Sequence, residues 1–181
     1  MALLDPRYWL PLTAVCVPAA AHATRYLTVE QAQHAVFPRA DHFVETALRL
    51  SPEDRGRIAA SAGVGMPRHE PKVWRALAGD APLGFFFVDE VIGKHELITY
   101  AVGIAADRTV RGVEILDYRE SRGGEVRDPR WRAQFAGKRA SDPLRLGEDI
   151  QNITGATLSS RHITEGVRRL LALHKTVLSR R

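Results

Sequence analysis

Leu83-Gly84-Phe85-Phe86-Phe87-Val88-Asp89-Glu90-Val91-Ile92 is the stretch that decides the fold. It is rich in aromatic and β-branched residues, which fit a pleated surface packed on neighbours, so it belongs in a buried sheet. Residues 73–77 before it, and 97–104 and 110–118 after it, read as strands in the same way. Ala106-Asp107-Arg108 supplies a turn between the last two. These four segments form a meander.

Helices flank the strands. Thr28-Val29-Glu30-Gln31 has the form of a capping box, so a short helix runs from residue 29 to about 37, where Pro38 ends it. An extended piece follows around residues 42–50. Ser51-Pro52-Glu53-Asp54 then offers a cap, a proline in the first turn and early acids, which starts a second helix that stops near Gly63. A short helix or turn is expected around residues 129–135. The strongest helix spans 160–175, with Ile163, Val167, Leu170, Leu171 and His174 on one face; His174 is read there as a hydrogen-bonded helix-end residue that interacts with the dipole. With 181 residues, no internal repeat and no dividing linker, the chain is read as a single α+β domain with a mostly antiparallel sheet.

Composition narrows the function. A 45% hydrophobic and 26% charged chain is neither disordered nor a multispan membrane protein. The net charge of +5 comes from 26 scattered Lys and Arg residues with no aromatic-interleaved basic tract, so no nucleic acid is expected. At the N-terminus Arg7 precedes an apolar stretch from Trp9 to Val17 and then Ala21-His22-Ala23. That pattern reads as a signal peptide over residues 1–23, with the mature chain starting near Thr24 outside the cytoplasm, in the periplasm or at a membrane. Cys16 lies inside this leader and is the chain's one cysteine. Once it is removed, thiol catalysis, disulfides and cysteine-ligated clusters are excluded together. Any redox role then needs another cofactor.

Common catalytic devices are missing. Gly63-Val64-Gly65 is not continued to a dinucleotide loop, Gly137-Lys138 is followed by Arg139, and the seven histidines include no zinc-binding pattern. No catalytic residue and no metal ligand is assigned. What stands out is Thr154-Gly155-Ala156-Thr157-Leu158-Ser159-Ser160, directly ahead of the best helix. Gly155 and Ala156 leave little bulk beside the Thr157 hydroxyl. A phosphate there would meet the free amides and positive dipole end of the helix that follows, with the Ser159 and Ser160 hydroxyls as further donors. The same residues also suit a plain turn and N-cap.

This run resembles the flavinylation motif of the FMN-binding domain family, whose members include flavinylated components of the sodium-pumping NADH:quinone oxidoreductase and of the Rnf complex. Upstream, Tyr118-Arg119-Glu120-Ser121-Arg122-Gly123-Gly124-Glu125 and Gln134-Phe135-Ala136-Gly137-Lys138 resemble two further family segments in the same order. The resemblance covers roughly residues 80–175. It implies covalent FMN, joined through its phosphate to Thr157, with Thr154, Gly155, Ala156, Leu158 and Ser159 around the attachment. It also places Glu120, Ser121 and Arg122 near the ring. Lys94 and His95 are candidates for the flavin's edge or phosphate, or for a solvated hairpin turn, and Trp131 is a candidate to flank the ring. One departure is that the family usually has Asp three residues before the first Thr, where this chain has Gln151 with Asp149 nearby.

The implied organisation is a leader over 1–23, an N-terminal helical and extended segment over 24–72 packed on the domain, and an FMN-binding domain over 73–178. The implied role is electron transfer between redox partners, membrane quinone oxidoreductases or periplasmic cytochromes, after maturation by FAD:protein FMN transferase. A flavin-dependent reductase with its own small substrate, and a non-redox accessory protein, are the alternatives.

Overall fold

The computed structural model describes residues 24–180. The leader reading and Cys16 lie outside them. A six-stranded sheet carries the fold, with strands β1 (Thr24–Arg25), β2 (His42–Glu45), β3 (Lys72–Ala78), β4 (Ala81–Ile92), β5 (Leu97–Ala105) and β6 (Val110–Tyr118). Their spatial order is β1-β6-β5-β4-β3-β2, antiparallel at every pairing. The expected α+β meander is what the chain forms, extended at its edges by two short strands. Of the extended stretch 42–50, only four residues pair, β2 against β3.

Helix α1 (Val29–Val36) lies on one face of this sheet, and α2 (Pro52–Ala62) and α4 (Thr157–Thr176) lie on the other. The capping box at Thr28 forms as read, and the cap at Ser51 proves to be a second capping box. The Thr28 hydroxyl accepts from the Gln31 amide and the Gln31 side chain accepts from Thr28 N–H, while Ser51 and Asp54 reciprocate in the same way. A short helix α3 (Pro129–Ala133) packs beside β6.

Phe86 and Phe87 show why the deciding stretch had to be a two-sided strand. Both are fully buried, Phe86 with Ala32, Val36 and Phe37 of the α1 layer and Phe87 with Ile58, Ile163 and Val167 of the α2–α4 layer. Alternate residues of one strand face opposite ways, so an apolar run without alternation satisfies both layers at once. The expected face of α4 is the buried one: Ile163, Val167, Leu170 and Leu171 are at most 1% exposed. Each contributes about 1.5–3 kcal/mol by leaving water.

His174 departs from its expected role. It is buried, packs edge-on to Phe85 at 5.4 Å, and burial, with Arg108 adding to it, pushes it below the ordinary imidazole value of 6.5. A neutral imidazole in the core does not compensate the helix dipole as a charged one would. No helix among the described residues is long and apolar enough to cross a membrane.

One polar group sits under α4. Asp89 of β4, 2% exposed, accepts from Arg169 at 2.7 Å and from the Tyr100 hydroxyl at 3.0 Å, and lies 2.9 Å from His69 Nε2. The helix comes down so closely here that a Cβ on Gly166 would stand 2.1 Å from the Tyr100 oxygen. A buried ion pair contributes little relative to an apolar substitute, but removing one partner strands a charge. Arg169→Met is therefore expected to cost about 3 kcal/mol in chemical denaturation. Asp89→Asn added to it should recover part of that loss; a variant pair with unchanged midpoints would contradict this account.

Candidate functional site

The Thr-Gly-Ala-Thr run is a turn that ends by starting a helix. Gly155 has φ +85°, a left-handed conformation that disfavours any side chain, and the chain then enters α4 with Ala156 as N-cap. Thr157 is thus the first residue of the helix, which begins three residues earlier than its sequence signals indicate. The reason is local. Ser160 does not cap: its hydroxyl donates back to the Ala156 carbonyl at 2.8 Å, and its amide makes the first helical bond to that same oxygen. Ser159 is likewise buried, its hydroxyl 3.3 Å from the Tyr118 oxygen. Ser160 is therefore turned away from any phosphate, and Ser159 is held from within. The Thr157 hydroxyl is exposed and is met by the side-chain amide of Asn152 at 3.3 Å.

No side chain caps α4. The opening amides of a 20-residue helix consequently have no intrahelical acceptor and carry the positive end of its dipole. Every other α-helix among the described residues has a side-chain cap.

The second block, 118–125, wraps this helix start. The Tyr118 hydroxyl donates to the Arg122 carbonyl at 2.5 Å, which folds 119–122 into a loop beside the first turn of α4. Burial raises the Tyr118 phenol above its ordinary value, so it remains a donor. Gly123 sits against Ala156, where a Cβ would come within 2.7 Å of the Tyr118 oxygen and 3.1 Å of the Ala156 Cβ. Small residues on both sides let the loop and the Thr154–Thr157 turn touch.

Glu120 reaches the β4–β5 hairpin. One carboxylate oxygen accepts from the amides of Lys94, His95 at 2.5 Å and Glu96 at 3.0 Å, three successive donors that form a nest around the charge. Burial works against the ionised form, but these backbone donors outweigh it and hold the Glu120 carboxyl below the ordinary range. Gly93 makes the approach possible, because a Cβ there would stand 2.6 Å from the same oxygen. The family position suggests a ring contact for Glu120. Its bound oxygen is instead committed to the hairpin, and Glu120 shapes the site by holding Lys94 and His95 at its edge.

The third block braces the turn from below. The Gln134 side chain accepts from the Gln151 amide at 2.8 Å, and Trp131 donates its indole N–H to the Gln151 carbonyl at 2.8 Å. Lys138 pairs with Asp149 at 3.0 Å, while Asp149 also accepts from the amides of Leu144 and Arg145. Trp131 and Phe135 are buried against each other in the core, so Trp131 does not flank the cleft. Asp149 is equally occupied and does not stand in for an acid at position 151.

Together these elements enclose a cleft of about 530 Å³, lined by Lys94, His95, Glu120, Ser121, Arg122, Gly155, Ala156, Thr157, Leu158 and Ser159. The structure thus brings the named site residues to one place except Thr154, which lies in the turn outside the lining, and Ser160 and Trp131, which face the core. A second, more open hollow shares Ser121, Arg122 and Gly155 and continues along Gly123 to Asp128. The volume lies within the range of about 300–1,000 Å³ usual for small-molecule sites. An exposed hydroxyl on uncapped helix amides, two cationic side chains, Lys94 and Arg122, and an apolar Leu158 suit an anionic, flat-ringed nucleotide. Tyr118, Gly93 and Asn152 escape a reading of the sequence; Tyr118 ends an apolar strand and gives no local sign of its polar partner.

Residues 93–172 match the family model of the FMN-binding domain, a span that takes in the β4–β5 turn, the 118–125 block and most of α4. The chain is also 25% identical, over 159 residues, to one component of the Na(+)-translocating ferredoxin:NAD(+) oxidoreductase complex of Acetobacterium woodii. That alignment covers 81% of this chain and 73% of the relative. The family resemblance carried by the three sequence blocks is confirmed.

The Glu120 clamp has a pH signature. A carboxyl depressed in the fold contributes stability above the ordinary glutamate value of about 4.3 and loses it as pH falls through the lower folded value. The amide resonances of Lys94, His95 and Glu96 should therefore titrate together with one midpoint below the ordinary glutamate value. Glu120→Gln should abolish that shared transition. Separate midpoints, or a transition that survives in the variant, would remove Glu120 from this role.

Proposed function

We propose that this chain is an exported flavoprotein that carries FMN in phosphoester linkage to the Thr157 hydroxyl and passes electrons between redox partners. The observation that carries the reading is the placement of Thr157: exposed, first in an uncapped helix, and at the wall of a cleft lined by the residues that the motif singles out. The flavin would supply the redox chemistry. The protein's residues supply the rest. Thr157 tethers, the opening amides of α4 and the cations Lys94 and Arg122 offset phosphate charge, and the Glu120-held hairpin gives the site a fixed edge.

A tether suits a protein outside the cytoplasm, where a diffusible nucleotide would be lost by dilution. The relative in Acetobacterium woodii, part of an oxidoreductase complex by its name, supports redox partners in general. Membrane quinone oxidoreductases and periplasmic cytochromes are the classes we favour, with FAD:protein FMN transferase installing the group. A leader over 1–23 would account for the location, and we divide the rest into a segment over 24–72 packed on an FMN-binding domain over 73–178. Carrier function is favoured over a stand-alone reductase because no acid, base or substrate-binding constellation is needed beyond the tethered ring.

Exported protein, produced with the transferase and magnesium, should gain the mass of FMN less one water and keep flavin absorbance in the denatured pellet. Thr157→Val should gain neither. Flavin that washes out on denaturation would overturn the covalent linkage, and a colourless protein without added mass would overturn the whole reading.

A further inference from the structure

We infer that Asn152 is a positioning residue for the attachment step, holding the Thr157 oxygen so that it can be esterified. The inference rests on the reading of Thr157 as the attachment point and goes beyond it, because position 152 falls outside the Thr154–Thr157 run.

Three observations carry it. The Asn152 side-chain amide donates to the Thr157 oxygen at 3.3 Å, across five residues. It is therefore not a helix cap, since a cap accepts from backbone N–H, and α4 has no side-chain cap. The backbone that bears Asn152 is fixed on both sides. Gln151 is held through its N–H by Gln134 and through its carbonyl by Trp131, and the Ile153 carbonyl accepts from the Ala156 amide at 3.0 Å. An exposed asparagine on so braced a turn keeps its amide beside the hydroxyl at a lower cost in side-chain entropy than one on a free loop.

The chemistry explains what this accomplishes. In the attachment step the Thr157 oxygen attacks the flavin-side phosphorus of FAD. A phosphorus–oxygen bond forms to Thr157, the bond from that phosphorus to the bridging oxygen breaks, AMP leaves with that oxygen, and the hydroxyl proton passes to a base of the transferase. A hydroxyl has one proton and two lone pairs. With Asn152 donating to one lone pair, the other stays available for attack and the proton stays available for removal. The donor also places a partial positive charge beside an incoming phosphate, where a carboxylate would repel it.

The test measures the initial rate of FMN mass gain by the mature protein with purified transferase, FAD and magnesium. Asn152→Ala is expected to lower the maximal rate about tenfold while leaving the half-saturating concentrations of FAD and of the protein substrate unchanged. Asn152→Asp, of equal size but able only to accept, should be at least as slow. Both should unfold at the wild-type denaturant midpoint, and fully loaded Asn152→Ala should show an altered phosphorus resonance for its phosphodiester. If either variant gains mass at the wild-type rate while Thr157→Val gains none, the inference about Asn152 falls and the attachment reading stands. If wild type itself gains no mass, the attachment reading fails and takes the inference with it.

Discussion

The seating of α4 on the sheet is the constraint from which the site follows. Arg169 reaches down to Asp89, Gly166 admits the Tyr100 hydroxyl, and His162 closes on the Ile92 carbonyl at the strand's end. These contacts fix the helix along its axis as well as against the sheet. Its first residue is then determined: with a rise of about 1.5 Å per residue, a shift of one position would move Thr157 out of reach of Asn152 and out of the wall formed by 120–122. The core thereby sets the position of an exposed hydroxyl two and a half turns of helix away from the buried contact at Gly166.

Around that fixed point three loops are held by side chains rather than by one another's backbones. Glu120 gathers the hairpin, Tyr118 folds the loop after β6, and Gln134 with Trp131 secures the turn before α4. Tyr118 and Glu120 sit two residues apart at the end of β6, so this one loop is tied directly to the hairpin and to the start of α4, while the turn before α4 is held separately from the α3 side. The division also explains why the resemblance appears as three separated blocks: one presents the Thr157 hydroxyl, one surrounds it and one braces it from the core side. Cofactor contact alone would not require the block at 134–138, whose side chains act on Gln151 and Asp149.

Strands and capped helices are legible in the sequence because their signals are local. The apolar run 83–92 and the boxes at Thr28 and Ser51 each contain their own explanation within a few residues. The Thr154–Thr157 turn ahead of α4 is legible for the same reason. The clamp made by Glu120 is not, because its partners are 24–26 residues upstream, and nothing in the chemistry of a glutamate after a strand distinguishes a ring contact from a hairpin clamp. Asp89 and Arg169, 80 residues apart, are invisible on the same ground. The start of α4 is obscured differently. Serine is as able to cap as to bond back to the preceding turn, and only the Ala156 carbonyl within reach decides between them.

Gln151 illustrates how the geometry of a turn and the charge of its surface separate. Its amide and carbonyl are both engaged by the core side, while its side chain is exposed. Replacing an acid by an amide at such a position leaves the backbone path to Thr157 unchanged, because the groups that define that path are common to every residue except proline. The loss of a negative charge falls on whatever approaches from solvent. A departure from the family pattern at this one residue is therefore a change in the exposed surface and not in the turn that presents the Thr157 hydroxyl. The nearest fixed acid, Asp149, cannot compensate, since burial is overcome there only by the Arg145 and Leu144 amides and Lys138, which keep its carboxylate within the loop.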